Sequence, residues 1–122
     1  MEIQAVDAGD SAKRKKAIAK EQRKLMKMFE PLLSAEDFKT AAGMIENVAF
    51  MRVSLTEIRT SIEENGYVES YDNGGGQKGL KDSTYLRSYN NLMKTYNTTM
   101  KLLLSIVPRD LRGEVDDGFD SF

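Results

Sequence analysis

The chain has 122 residues, of which 30% are charged and 40% hydrophobic, and it contains neither histidine nor cysteine. This length fits one domain with a disordered end. No apolar run reaches the roughly 20 residues that span a bilayer, and no apolar signal-peptide core follows the N-terminus, so we expect neither a membrane protein nor a secreted one. Without imidazole or thiol groups, catalysis would depend on carboxylates, Lys, Tyr or carboxylate-bound Mg²⁺. We therefore predict a non-enzymatic protein with no cofactor and no metal site.

Opposite charges are concentrated at the two ends of the chain, although the formal net charge is only −1. Residues 13–27 hold eight cations and the single acid Glu21, which gives +7, whereas residues 110–122 hold five acids and the single cation Arg112, which gives −4. Such asymmetry indicates nucleic-acid binding or an interaction tail. Cations around most of a helix can contact DNA phosphates without recognising bases. The alternative interpretation of these cations is an ordinary surface helix in contact with water. The candidate DNA-binding residues are Lys13, Arg14, Lys15, Lys16, Lys20, Arg23, Lys24 and Lys27.

The first predicted elements are a flexible arm and a basic helix. Residues 1–10 are short of large apolar side chains, so we predict an arm there. Ser11 can cap a helix over about residues 12–29, which are rich in good helix formers. Because the apolar stripe of this helix is thin, it needs a partner surface or phosphates to be stable. Pro31 ends it, since the residue before a proline is disfavoured in the α region.

Two long helices with matching apolar seams are predicted over about residues 35–65 and 83–107. Ser34 caps the first of them and Gly66 follows its last turn. The apolar residues are spaced alternately by three and four, which is typical of helices that pack side by side. We predict a mainly α fold in which residues 11–108 form one domain around a long antiparallel helical hairpin. The seam residues, expected in the core or in an oligomer interface, are Met44, Val48, Met51, Leu55, Ile58, Ile62, Leu86, Tyr89, Met93, Tyr96, Met100 and Leu103.

The segment between these helices, residues 67–82, combines β-favouring side chains with Asn-Gly and Gly-Gly steps. It is predicted to be a short β-hairpin, with a flexible Gly-rich loop as the alternative. The glycines before Lys78 and Lys81 lack the spacing of a phosphate-binding loop, and the nearby carboxylates would have to converge to bind Mg²⁺. Residues 109–122 are acidic and contain glycine, so we predict an unstructured tail with two phenylalanine anchors.

Several motifs occur in a distinctive order along the second half of the chain. A long helix has NVAFM at 47–51 and an I-x-x-N-G stop at 62–66. A Y-x-N-G-x-x-Q-x-G-x-K-x-S connector follows at 71–83, and then a Y-N-x-x-x-K-x-Y helix at 89–96 that ends in P-x-D. In this order and spacing the chain resembles the small subunit of tailed-phage terminases, of the type encoded by phages and prophages of Gram-positive bacteria. The resemblance covers about residues 13–122, including the acidic DDGFDSF end.

The resemblance implies a DNA-packaging protein of the infected bacterial cytoplasm that is not an enzyme. Such subunits form homo-oligomeric rings, bind double-stranded phage DNA and pass it to the large subunit, which holds the ATPase and nuclease. Many relatives have a separate N-terminal helix-turn-helix domain; none is visible here, so DNA binding is expected to fall to the basic helix. The alternative function is a helical adaptor whose basic helix binds an acidic protein. The residues expected to engage the large subunit are Asp116, Asp117, Phe119, Asp120 and Phe122.

Overall fold

A computed structural model describes residues 8–72, 74–76 and 78–113 of the chain. Within these residues the protein is mainly helical, with three α-helices and one two-stranded antiparallel sheet, which confirms the predicted mainly α class. The elements are α1 (Ala8–Phe29), a 3-10 turn (Glu30–Leu32), α2 (Ala35–Asn65), β1 (Val68–Asp72), β2 (Lys78–Asp82), α3 (Thr84–Ser105) and a second 3-10 turn (Arg109–Leu111).

The ends of α2 and α3 follow from local chemistry. The Ser34 hydroxyl accepts a hydrogen bond from the Asp37 N–H at 3.1 Å, and the Ser83 hydroxyl accepts one from the Leu86 N–H at 3.0 Å. Both serines thereby satisfy backbone donors that the first turn of a helix leaves open. Gly66 ends α2 with φ 77° and ψ 174°, while its N–H donates to the Ile62 carbonyl at 2.7 Å. This backbone conformation is essentially restricted to glycine.

The first helix begins earlier than the sequence indicates. α1 starts at Ala8, so Ser11 lies inside the helix and is not its cap. Asp10 stands in the first turn of α1, where a carboxylate is stabilised by the positive end of the helix dipole. At the other end, α1 ends at Phe29, and Pro31 falls in the 3-10 turn that follows it.

The hydrophobic core lies where all three helices meet. α2 is the central element because it packs against both α1 and α3. The Ser83 N–H bonds the Tyr67 carbonyl just beyond α2, whereas Tyr96 reaches Arg52 in its middle, so α3 runs back along α2. The core cluster consists of Leu25, Phe29, Leu32, Ala41, Ile45, Val48, Ala49, Met51, Met100, Leu103 and Val107.

The predicted seams are buried unevenly. Val48, Met51 and Leu55 in α2 and Met100 and Leu103 in α3 are buried. The remaining seam residues are half-buried. Most of them lie in the part of α2 beyond Glu57 or in the first half of α3, past the contact between Arg14 of α1 and Glu57 of α2. The half-buried seam residues are Met44, Ile58, Ile62, Leu86, Tyr89, Met93 and Tyr96.

The segment between α2 and α3 was predicted to be either a short β-hairpin or a flexible Gly-rich loop, and the structure contains two paired strands there. β1 and β2 pair antiparallel in a register that joins Val68 to Asp82 and Asp72 to Lys78. Gly74, Gly75 and Gly76 all have positive φ at the turn, and the Asp72 carboxylate accepts from the Gly74 N–H at 2.9 Å. Glycine adopts such backbone angles without the steric cost that a Cβ imposes.

The fold extends further towards the C-terminus than the sequence indicates. Leu111 packs against the core, and Arg112 donates from Nε to the Val107 carbonyl at 3.1 Å. These contacts hold residues 109–113, which the sequence assigns to the unstructured tail, against the end of α3. The predicted partner residues Asp116, Asp117, Phe119, Asp120 and Phe122 lie outside the described residues, as does the part of the predicted arm that precedes Ala8.

Candidate nucleic-acid interface

The first helix has one side that packs on the protein and one that faces solvent. Leu25 and Phe29 are fully buried and Ile18 is half-buried, and all three lie on the side of α1 that faces the core. An α-helix turns by about 100° per residue, so cations spaced by three and four on the opposite side form a line. We call these five exposed residues the outer basic stripe: Lys13, Lys16, Lys20, Arg23 and Lys27.

Among residues 8–72, 74–76 and 78–113, no carboxylate compensates the charge of the outer basic stripe. From Lys13 to Lys27 it extends over about 21 Å of helix at 1.5 Å per residue. Within the described part of the chain, none of its five side chains forms an ion pair with a carboxylate. Cations with no partner of their own keep their full attraction for an external polyanion, which makes this line the strongest candidate for phosphate contact.

Arg14 differs from the other predicted DNA-binding residues because it is bound to α2. Its Nε lies 2.8 Å from the Glu57 carboxylate, and its Nη2 donates to the Ser54 hydroxyl at 3.2 Å. Its guanidinium carbon also lies 5.6 Å from the centre of the Phe50 ring, within the range of a cation–π contact. Arg14 therefore attaches α1 to α2, and a charge count along the sequence could not distinguish this role from DNA contact.

The two remaining cations of the predicted set flank the outer basic stripe. Lys15 is exposed and projects from another side of α1. Lys24 lines a recess between α1 and α2 together with Lys20, Ala17 and Val53. The structure therefore places seven of the eight predicted cations on the solvent side of α1 or its flanks, and five of the seven in one line.

A polar cluster joins all three helices beneath this surface. Arg52 of α2 places its Nε 3.4 Å from the Glu21 carboxylate of α1 and donates from Nη1 to the Tyr96 hydroxyl of α3 at 2.8 Å. The Arg52 and Glu21 side chains are only 23% and 24% exposed. The cluster links α1 and α3 to α2 in addition to the apolar contacts of Leu25 and Phe29. Sequence reasoning missed Arg52 and Glu21, because nothing local in the chain shows that they meet.

The connection between α2 and α3 holds no site for a metal ion among the described residues. Its carboxylates pair with lysines across the sheet: Glu69 with Lys81 at 3.4 Å and Asp72 with Lys78 at 3.9 Å. No group of three or more acidic side chains in the described ranges is arranged to bind a cation. The same residues include no helix that combines the length and the apolar character needed to cross a bilayer.

Comparison with known proteins found no matching family model, no matching curated protein and no matching solved structure. The terminase resemblance thus rests on the ordered motifs of the sequence and stays a prediction.

Proposed function

We propose that this chain is a non-enzymatic small terminase subunit, which binds viral DNA in the infected bacterial cytoplasm and assembles into a homo-oligomeric ring. The observation that carries the proposal is the outer basic stripe, in which five exposed cations follow one line of α1. In this proposal, α2 and α3 provide the scaffold, and the acidic residues 116–122 engage the large subunit, which performs the chemistry.

The outer basic stripe suits contact with phosphates rather than bases. DNA presents one phosphate about every 3.4 Å along each strand, so a 21 Å line of cations matches several of them at once. Lys and Arg on a smooth helix face neutralise phosphates and position the protein, but they carry little sequence information by this contact alone. The stripe is therefore expected to bind duplex DNA with weak sequence preference and strong dependence on salt.

Exposed apolar side chains support the proposal of self-association. Leu80 is 75% exposed, Tyr67 62% and Val68 46%, and they lie on the two-stranded sheet or directly beside it. Exposed apolar residues that are grouped in one region favour contact with another surface, whereas scattered ones do not. Measurement of the native mass tests this part: a ring of eight or more chains supports it, and a monomer or a dimer contradicts it.

A salt titration of DNA binding tests the role of the outer basic stripe. The variant Lys16→Gln/Lys20→Gln/Arg23→Gln/Lys27→Gln removes four of its five cations. If all four contact phosphates, the slope of log K against log salt becomes shallower by about 3.6, at about 0.9 per contact. The native affinity should fall about 500-fold between 50 and 200 mM salt for five contacts, at the same 0.9 per contact.

A matched variant controls for the loss of charge. Lys39, Arg87, Lys94 and Lys101 are exposed cations of α2 and α3, and changing all four to Gln removes the same charge from other faces. This variant should retain the native salt slope. Equal slopes for the two variants would contradict the role of the stripe. Binding to an acidic protein without any binding to duplex DNA would favour the adaptor function instead.

The proposed role of the C-terminal residues has its own test. Deletion of residues 115–122 should abolish stimulation of the large subunit while the native mass of the oligomer stays the same. If the oligomer dissociates instead, these residues serve assembly and the proposed contact with the large subunit is wrong.

A further inference from the structure

We propose that residues 114–122 dock, within the same chain, on the C-terminal half of α1 at the recess between Arg23 and Lys27, and that DNA has to displace them to bind there. The docking stands on charge and geometry, whereas its consequence for DNA rests on the proposed function. Four observations support the docking: where the described chain ends, how far the next residues reach, the charge of both partners, and the lining of the recess.

The described chain ends beside the C-terminal half of α1. Val107 is buried in the same core cluster as Leu25 and Phe29 of α1, and Leu111 packs against that cluster. Arg112 bonds back to the Val107 carbonyl, so the backbone at this point stays close to the end of α3. The chain therefore continues to residue 114 from the same end of the helix bundle where α1 ends.

Residues 114–122 are long enough to cover the recess. Nine residues in extended form reach about 30 Å at 3.3 Å per residue. The outer basic stripe is about 21 Å long. Its last two cations, Lys27 and Arg23, lie in the last two turns of α1, at the end of the bundle where Leu111 packs.

The charges of the two surfaces are opposite. The segment after Gly113 holds four carboxylates and no cation, since Arg112 precedes it. Arg23 and Lys27 are one helical turn apart on the side of the recess and have no ion-pair partner among the described residues. Because the acidic segment and the cations belong to one chain, their contact avoids the entropy cost of bringing two molecules together. The four carboxylates are Glu114, Asp116, Asp117 and Asp120.

The recess also offers an apolar surface, which distinguishes this segment from a purely acidic partner. Met26 and Ala19 are half-buried between the cations, and the docking segment brings two phenylalanines. A methionine sulfur makes favourable contacts with aromatic rings. Glu30 is the one carboxylate in the described lining, so the acidic residues should turn towards Arg23 and away from Glu30. The described residues that line the recess are Ala19, Gln22, Arg23, Met26, Lys27 and Glu30.

The tethered segment would act as a competitor of DNA at the C-terminal end of the outer basic stripe. A short tether gives an effective concentration in the millimolar range, so even a weak contact lowers the apparent DNA affinity by about two- to tenfold. Because both contacts are ionic, this inhibition should shrink as the salt concentration rises.

Lysine reactivity tests the docking without DNA. In the full chain, the variant Glu114→Gln/Asp116→Asn/Asp117→Asn/Asp120→Asn keeps the length but removes the charge of the segment. Acylation of Lys27 and Lys20, followed by peptide mass analysis, should become at least twofold faster in this variant, while Lys39 and Lys101 react as before. The variant Phe119→Ser/Phe122→Ser should give a smaller rise at Lys27. Unchanged reactivity at Lys27 and Lys20 in the charge variant would overturn the docking.

Protein concentration separates docking within one chain from docking between copies. Protection of Lys27 that is independent of dilution supports the same-chain contact. Protection that is lost on dilution, while the segment is intact, shows that the segment binds a neighbouring copy and overturns the proposal as stated.

Measurement of DNA affinity tests whether the docked segment competes with DNA. At low salt, the charge-neutralised variant should bind duplex DNA about two- to tenfold more tightly than the native chain, as expected for loss of a tethered competitor. Equal affinities together with changed Lys27 reactivity would overturn the competition but support the docking. Changed reactivity with no DNA binding by either protein would support the docking and contradict the proposed function, so the two failures are distinguishable.

Discussion

The cluster of Glu21, Arg52 and Tyr96 gives a sharp prediction about stability. Replacement of Arg52 by Met removes the partner of the Glu21 carboxylate, one oxygen of which is shielded from solvent. It also removes the hydrogen bond to the Tyr96 hydroxyl, at 2.8 Å. The side chain of Met has a similar length, so the main effect is the loss of charge and hydrogen bonding.

The expected loss of stability for Arg52→Met is about 2 kcal/mol. Removal of one partner from a fully buried ion pair costs about 3–5 kcal/mol. Because these side chains are 23% and 24% exposed, Glu21 can turn partly towards water, and a hydrogen bond to a charged group, worth about 1.5–3 kcal/mol, is the better guide. The double variant Glu21→Met/Arg52→Met leaves no uncompensated charge and should lie within about 1 kcal/mol of the native chain.

Urea unfolding at a fixed protein concentration measures this effect, since self-association shifts the apparent stability. Arg59→Met is the matched control because Arg59 pairs with Glu63 at 3.9 Å with both side chains about 70% exposed. An exposed pair of this kind contributes about 0–0.5 kcal/mol. The reasoning is refuted if Arg52→Met is no more destabilising than Arg59→Met, or if the double variant is less stable than Arg52→Met alone.

Three further changes test the fold and the interface. Gly66→Ala should destabilise the protein by about 1–3 kcal/mol, because φ 77° with ψ 174° strains any residue with a Cβ. Gly43→Ala should instead stabilise it by about 0.5–1 kcal/mol, because a Cβ at this position in α2 meets only open space. Thermal unfolding of the two variants compares these effects. Leu103→Ala should cost about 2–5 kcal/mol in urea unfolding, while its exposed neighbour Leu102 should tolerate Ala with little loss. Arg14→Gln should cost less than about 1 kcal/mol because the pair with Glu57 is half-exposed. The same change should leave the salt slope of DNA binding as it is, and a shallower slope would show that Arg14 contacts phosphates.

Local chemistry predicted the helix ends that depend on neighbouring residues. Ser34 and Ser83 cap helices through bonds that span three residues, and Gly66 stops α2 through its own backbone angles. Such features depend on the nearest turn of the chain, so they can be inferred without knowledge of the fold. The start of α1 at Ala8 was not predicted, because Ser11 looked like a cap in the sequence, whereas the helix begins three residues before it.

The burial of α2 shows that the spacing of apolar residues is insufficient to predict every buried position of a helix. Its alternate spacing of three and four identified one packed face, but α2 packs against two helices. The polar residue Ser54, which lies outside the apolar seam, is therefore buried as well. A one-dimensional pattern gives the side of a helix that is apolar, but not how many partners share it.

By itself, the sequence determined the mainly helical class, the bounds of α2 and the concentration of opposite charges at the two ends of the chain. These properties follow from propensity, helical period and composition, which are local. Only the tertiary structure decided that Arg14 binds α2 while the outer basic stripe faces solvent, and that Leu111 and Arg112 lie against the core and the end of α3. The physical reason is that these outcomes depend on contacts such as Arg14 to Ser54 and Arg52 to Tyr96, which join residues 40 and 44 positions apart.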